Sequence, residues 1–290
     1  MTLREYIADA RKRQVAIGHF NVSTLDGIWA VADAAQELGL PVIIGVSEGE
    51  RDYTGVLQAA AIVKSIREER GQPIFLNADH TYSFERVKEA IDAGYDAVIF
   101  DGAKLSMEDN IAAAKKCVEY AKAASARLAH EILVEGELGF IGQSSKVLDA
   151  IPEGAIVGDA AMTKPEDALR FVTETGVDLL APAVGNIHGV VRGGDPALNT
   201  TRVKEISDAV GIPLVLHGAS GNTADDIRKA VQNGVGIVHV NTELRLAYRS
   251  GLMKSLSENA DEVAPYKFLK PAKLAMQAVA AEKLRIINGL

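Results

Sequence analysis

Six histidines are spread through 290 residues, and three of them stand where chemistry can be done. His80, His188 and His217 each follow a short apolar run. Asp79 directly precedes the first, Gly189 follows the second, and Gly218, Ala219 and Ser220 follow the third. One histidine at such a place is more often a hydrogen-bonded polar residue than a ligand. Three neutral imidazoles that converge make a site for Zn²⁺ or another divalent ion, with a coordination position left open. Adjacent residues at a strand end point in different directions. His80 can therefore ligate while Asp79 serves substrate as an acid or base, or orients a ligand. The glycines of His188-Gly189, of Arg192-Gly193-Gly194 and of HGASGN at 217–222 let backbone approach an oxyanion closely, the last just before a helix expected from Thr223. His130 reads as structural; His19 and His239 stay open.

These groups need elements that bring them together. Eight short apolar, β-branched runs recur at 15–20, 41–46, 73–77, 97–100, 131–135, 177–183, 212–216 and 236–240. They are continuous rather than alternating, which predicts strands covered on both faces. Helical spacing marks 25–38, 84–93, 106–124, 164–175, 199–210 and 223–233 between them, and Gly39, Gly94, Gly176, Gly211 and Gly234 stand where helices end. Eight βα units in this length predict one (β/α)₈ barrel spanning residues 1–290 as a single domain. A helical extension over 270–287 is available to dock on a neighbouring subunit. In such barrels the active site lies at the C-terminal strand ends. The polar residues there are Asn21, Ser47, Asp79, His80, Asp101, Glu135, Glu137, His188, His217, Ser220, Asn241 and Thr242. A doubly wound sheet is disfavoured, because VAIGHFNVSTLDG after the first run carries no glycine-rich phosphate loop.

Composition narrows the partners. The chain has 31 Lys and Arg against 39 Asp and Glu, a formal net charge of −8, so nucleic acid is not expected. The lone Cys117 excludes a disulfide scaffold and fits a reducing compartment. The charged, amphipathic start at 1–14 is no signal sequence, and no apolar run reaches a membrane-spanning length. The expected location is the cytoplasm.

At these same residues the chain resembles the class II, metal-dependent aldolases of the fructose-bisphosphate and tagatose-bisphosphate type. The carriers are FNV at 20–22, VSEG at 46–49, ADH at 78–80, AIDAGYDAVIFDGAKLSMEDNI at 90–111 and VEGELG at 134–139. TGVDLLAPAVGNIHG at 175–189, PLVLHGASG at 213–221, VNTELRLAY at 240–248 and LKPA at 269–272 complete the set. The resemblance implies a zinc-dependent carbon–carbon lyase acting through the enediolate of dihydroxyacetone phosphate. His80, His188 and His217 would be the zinc ligands, and Glu137 would hold the metal in an alternative position. Asp79 would exchange a proton with the aldehyde-derived oxygen. Gly189, Gly193, Gly218, Ser220 and Thr242 would hold the donor phosphate, with Asn21, Ser47, Ala219 and Asn241 also at the substrate and a monovalent cation nearby. The substrate would be a phosphorylated ketose or its aldehyde half, and the assembly a homodimer or homotetramer.

Departures from the family pattern accompany the match. Ser144 and Ser145 stand where the family has acids in a mobile loop that moves the donor proton, with Asp149 or Glu153 as substitutes. His239 replaces an Asn, Asn241 is neither of the epimer-discriminating residues Asp and Ala, and Tyr266 occupies the place of a distal-phosphate Arg. Metal and donor-phosphate groups are kept while the distal groups change, which implies an aldehyde other than glyceraldehyde 3-phosphate. Two other readings use the same histidines: a metal-binding barrel without aldol activity, serving as sensor or accessory subunit, and a metal-dependent sugar-phosphate isomerase or epimerase.

Overall fold

The computed structural model describes residues 1–142, 146–151 and 162–290. Its strands are β1 (Ile17–Asn21), β2 (Val42–Val46), β3 (Ile74–Thr81), β4 (Ala97–Phe100), β5 (Leu133–Leu138), β6 (Val147–Leu148), β7 (Leu179–Pro182), β8 (Val190–Val191), β9 (Leu214–Leu216) and β10 (Val235–Val240). Its helices are α1 (Leu3–Lys12), α2 (Leu25–Leu38), α3 (Glu48–Thr54), α4 (Val56–Arg70), α5 (Phe84–Asp92), α6 (Met107–Leu128), α7 (Pro165–Thr175), α8 (Thr200–Val210), α9 (Ala224–Gln232), α10 (Thr242–Glu258), α11 (Pro265–Phe268) and α12 (Lys270–Asn288). Among the described residues, eight parallel strands close in the order β1-β2-β3-β4-β5-β7-β9-β10, and β10 pairs back onto β1. This is the expected (β/α)₈ barrel. The short strands β6 and β8 pair separately above it. No helix among the described residues is long and apolar enough to cross a membrane.

Strand residues alternate between the helices outside and the barrel interior. The outward set, including Phe20, Leu76, Val134, Val238 and Val240, packs under the surrounding helices. The inward set is layered. The lowest layer takes one apolar residue from every strand: Ile17, Ile43, Phe75, Ala97, Leu133, Leu179, Val215 and Ile237. Helix α1 closes that end with Leu3, Ile7 and Ala10. Two residues further along the strands come His19, Asn77, Glu135 and His239, all buried, and two further still Asn21, Asp79, Glu137 and Asn241. The apolar runs are therefore continuous only through their lower turns, and polar residues at period two fill the upper interior. His19 and His239 are register partners on β1 and β10, which stacks their rings at 3.5 Å.

Gly45 on β2 makes room for this stack, since a Cβ there would fall on the His19 ring. Gly45→Ala is expected to destabilise the fold by about 1–3 kcal/mol, the usual cost of overpacking a filled interior. Thermal unfolding checks this, and an unchanged midpoint would contradict the packing argument.

Helix α12 lies on its own barrel. It packs against α2 and α10, buries Met276, Ala280, Leu284 and Ile287, and joins Lys273 to Asp33 and Lys283 to Glu243 at 2.7 Å each. Its buried apolar face is taken up by its own barrel.

Candidate metal centre and active site

Strand β3 delivers two functional side chains from adjacent positions. Its register against β4 slips between Ala78 and Thr81, and His80 has a left-handed φ of 37°. Such a bulge re-aims side chains at a strand end, at a cost in backbone strain. Arg51, 1% exposed on α3, clamps it: its guanidinium donates to the carbonyls of Val46 (2.6 Å) and Asp79 (3.2 Å) and to Thr81 Oγ1 (3.0 Å). Asp79 and His80 consequently both reach the barrel mouth.

Three imidazoles meet there. His80 Nε2 lies 3.2 Å from His188 Nε2 and 3.1 Å from His217 Nδ1. Each ring spends its other nitrogen elsewhere. His80 Nδ1 donates to Asp101 Oδ2 (2.9 Å), His188 Nδ1 to the Gly142 carbonyl (2.7 Å) and His217 Nε2 to Glu135 Oε1 (2.7 Å). A neutral imidazole carries one N–H, so these outer bonds leave the three inner nitrogens as facing lone pairs. Facing lone pairs repel unless a proton or a metal ion lies between them. Three buried carboxylates, Asp79, Glu135 and Glu137, and the half-buried Asp101 surround the rings and raise the same demand for positive charge. The donor set, neutral imidazoles oriented by outer hydrogen bonds, fits a divalent transition-metal ion.

Without an ion the carboxylates draw protons onto the rings instead: burial opposes charge on His217, yet Glu135 beside it holds its pKa above the ordinary imidazole value. Burial opposes charge on His80, yet Asp79, Glu137 and Asp101 hold its pKa well above the ordinary imidazole value. Burial, with His80 and His217 alongside, takes His188 down to about 3. Burial also takes His19 to about 3 and His239 well below its usual value, so the stacked pair behind the centre stays neutral. Burial works against the Asp79 charge as well, but His80 beside it keeps that carboxyl well below the normal range. Asp79 is thus a carboxylate at neutral pH. Asn21 Nδ2 anchors its Oδ2 at 2.8 Å, while its Oδ1 is buried and makes no hydrogen bond.

Asp101→Ala is expected to weaken metal affinity by about 10–100-fold, the usual effect of removing a ligand's hydrogen-bond partner. Competition with a chromogenic chelator measures this, and unaltered affinity would count against the orientation described for His80.

The mouth is lined by Asn21, Ser47, Asp79, His80, His188, Gly189, His217, Gly218, Ser220, His239, Asn241, Thr242 and Arg245, with Glu48, Gly49, Tyr82 and Gly142 completing the wall. Gly218 has a left-handed φ of 65° and sits against the Ile187 carbonyl, where a Cβ has no room. Two expected substrate groups lie elsewhere: Gly193 is exposed in the turn after β8, and Ala219 is buried in the outer core. Glu137 stands 3.3 Å from His80 Nδ1, on the outer side of the ring rather than among the three inner nitrogens. Asp149 is exposed and pairs with Arg192 at 2.8 Å. Tyr266 is 77% exposed on α11, and His130 sits by Asp96, just ahead of β4, at 3.4 Å. Ser144, Ser145 and Glu153 lie outside the described residues.

Four contributors were not legible as such in the sequence: Glu50, Arg51, Arg245, and Glu135 as the partner of His217. Two signals were available. Glu135 and Glu137 share one strand face by period two, and Ser47-Glu48-Gly49-Glu50 has the S-x-x-E spacing of a capping box.

A closed barrel with a histidine-lined mouth at its strand ends defines a metal-dependent (β/α)₈ enzyme. The profile of the class-II fructose-bisphosphate aldolase family matches residues 1–289, and the chain belongs to that family. It is 35% identical over 290 residues to the fructose-bisphosphate aldolase of Staphylococcus aureus, covering 98% of this chain and 96% of that one. The Geobacillus stearothermophilus fructose-bisphosphate aldolase is 34% identical over 288 residues with the same coverage. The solved structure of the YdjI aldolase from Escherichia coli K12 superposes with a TM-score of 0.81 at 32% identity, over 98% of this chain and 96% of that one. The protein is therefore a lyase of the aldolase type, and its substrate is a phosphorylated sugar.

Proposed function

We propose that the enzyme is a zinc-dependent aldolase that cleaves or forms a ketose phosphate through a dihydroxyacetone phosphate enediolate. The observation that carries this reading is the set of three inward lone pairs on His80, His188 and His217, each fixed by an outer hydrogen bond. These residues would hold the ion, with Glu137 beside His80 as the carboxylate of an alternative position. When bound, the ion supplies Lewis-acid polarisation of the ketone and charge stabilisation of the enediolate.

The protein groups divide the remaining work. The backbone at Gly189 and Gly218, with Ser220 and Thr242, binds the donor phosphate beside the start of α10, and a monovalent cation there would offset its charge. In the cleavage direction Asp79 Oδ1 accepts the proton of the hydroxyl that becomes the aldehyde, and in synthesis it returns it. Asn21 fixes the other Asp79 oxygen, so the carboxylate keeps one orientation during transfer. His239, packed between His19 and His217, closes the floor and excludes water.

The acceptor aldehyde is one without a distal phosphate. Tyr266 replaces the family's Arg, and loss of such a charge-assisted contact removes about 1.5–3 kcal/mol, or roughly ten- to hundredfold in affinity. Elemental analysis of the purified protein, joined to a panel of ketose mono- and bisphosphates, tests the whole reading. One equivalent of zinc and carbon–carbon cleavage of a monophosphate is the expected result. A metal-loaded protein inert toward the panel, or one that exchanges stereochemistry without cleavage, would overturn it.

A further inference from the structure

One wall of the mouth, formed by Asn21, Ser47 and Arg245, is organised by a buried residue that does not itself line the cavity. Glu50 is 6% exposed. Its Oε2 accepts from the Ser47 backbone N–H (2.8 Å), the Ser47 hydroxyl (2.9 Å) and Asn21 Nδ2 (3.0 Å), and its Oε1 accepts from Arg245 Nη2 (2.6 Å). Asn21, Ser47 and Arg245 all line the cavity. A backbone N–H, a hydroxyl, an amide and a guanidinium converging on one point are the donors that hold a phosphate or carboxylate. Here the anion they hold belongs to the chain.

We propose that Glu50 is a resident anion filling what would otherwise be a second anion site. It makes the distal end of the pocket selective for hydroxylated, uncharged sugar over a phosphorylated one. The inference rests on the reading above that the donor phosphate binds at Gly189, Gly218, Ser220 and Thr242.

Hydrogen-bond accounting supports the choice. Both amide hydrogens of Asn21 are committed, one to Glu50 and one to Asp79. The N–H and O–H of Ser47 are both committed to Glu50. What Asn21 and Ser47 offer a ligand is therefore acceptors, Asn21 Oδ1 and Ser47 Oγ. A sugar hydroxyl can donate to them, whereas a phosphate dianion finds no donor on either residue. The Arg245 charge is cancelled by Glu50, and Glu48 on the same wall adds another negative charge.

The test compares fructose 1-phosphate with fructose 1,6-bisphosphate, which differ only at the distal end, using the full-length zinc-loaded enzyme. Their ratio of kcat/KM cancels any shared loss that reaches Asp79 through Asn21. The wild-type ratio of bisphosphate to monophosphate is expected at or below one. Glu50→Ala raises it by about tenfold or more, chiefly through a lower KM for the bisphosphate, as expected for one regained charge-assisted contact. Glu50→Gln, which keeps the side chain's length, gives a smaller rise, and adding Arg245→Ala to Glu50→Ala removes the gain. A wild type that prefers the bisphosphate, or a ratio unchanged within about twofold in both Glu50 variants, overturns the proposal.

A binding arm is independent of turnover. Calorimetric titration with inorganic phosphate should find one site per chain in the wild type, two in Glu50→Ala and one in the double variant. Equal stoichiometry in wild type and Glu50→Ala also overturns it. Failure of the wild type to cleave either sugar refutes the substrate reading, while the phosphate stoichiometry still decides the role of Glu50.

Discussion

Replacing His188 with alanine is expected to empty the metal site and abolish turnover while leaving the barrel folded. Two inner nitrogens remain, from His80 and His217, and two imidazoles with solvent do not reproduce a three-protein-ligand centre. The transition state then loses several kcal/mol of charge stabilisation. A loss of about 4 kcal/mol corresponds to roughly a thousandfold in kcat/KM. The fold is not expected to fail with it. The apolar layer from Ile17 to Ile237 and the α1 plug lie below the centre, and His188 belongs to neither. Elemental analysis and a thermal melt on the same preparation check both halves. Unchanged metal stoichiometry would refute the ligand assignment, and a collapsed melt would refute the separation of site from core.

Asp79→Ala should give the complementary phenotype, with metal retained and chemistry lost. Asp79 contributes none of the three inner nitrogens, and its Oδ1 is the buried oxygen that makes no hydrogen bond. Removing a positioned acid–base group costs about 10²–10⁴-fold in rate, and the loss should fall on kcat rather than on KM. Asp79→Asn tests the same point with less disturbance, because an amide oxygen can still accept from Asn21 but cannot take the proton. Because His80 holds the carboxyl well below its ordinary range, wild-type turnover should not fall through Asp79 protonation between neutral pH and pH 5. Retained turnover in Asp79→Ala would remove this residue from the mechanism, and loss of zinc would reassign it to metal binding.

Much of this architecture was readable from residue order. Every barrel strand lies on an apolar run, because a strand covered by helices outside and packed within must be apolar in its lower turns. Gly39, Gly176 and Gly211 end helices in the left-handed conformation that glycine adopts most easily. His80 and His217 were legible because they sit where runs end, and His188 because it follows the end of one by a few residues. Other parts were hidden for physical reasons. Helices α3 and α4 carry weak periodicity, and Gly55 divides them. Helix α1 looks like a charged surface stretch until the barrel floor is there to take Leu3 and Ile7. His19 and His239 gave no clear signal, since an inward polar residue inside an apolar run is visible only once register pairs it with its neighbour. Glu50 and Arg51 stand in a polar stretch, with nothing local to mark them as buried. They are buried because α3 folds back over the mouth, a tertiary fact that local sequence does not carry.

His80 and His217 stand at the ends of barrel strands, but His188 does not. It rides on the segment after β7, and that segment is tied to the one after β5. The His188 N–H donates to the Ile141 carbonyl at 2.9 Å, its ring donates to Gly142, and β8 just beyond it pairs with β6. Thermodynamic linkage makes this tie reciprocal. An ion that fixes the His188 ring also raises the free energy needed to displace residues 141–142. Any event that displaces those residues weakens the ion's hold by the same factor. Hydrogen-exchange protection around β6 and β8 therefore reports metal occupancy from outside the cavity, through a spring rather than through a ligand.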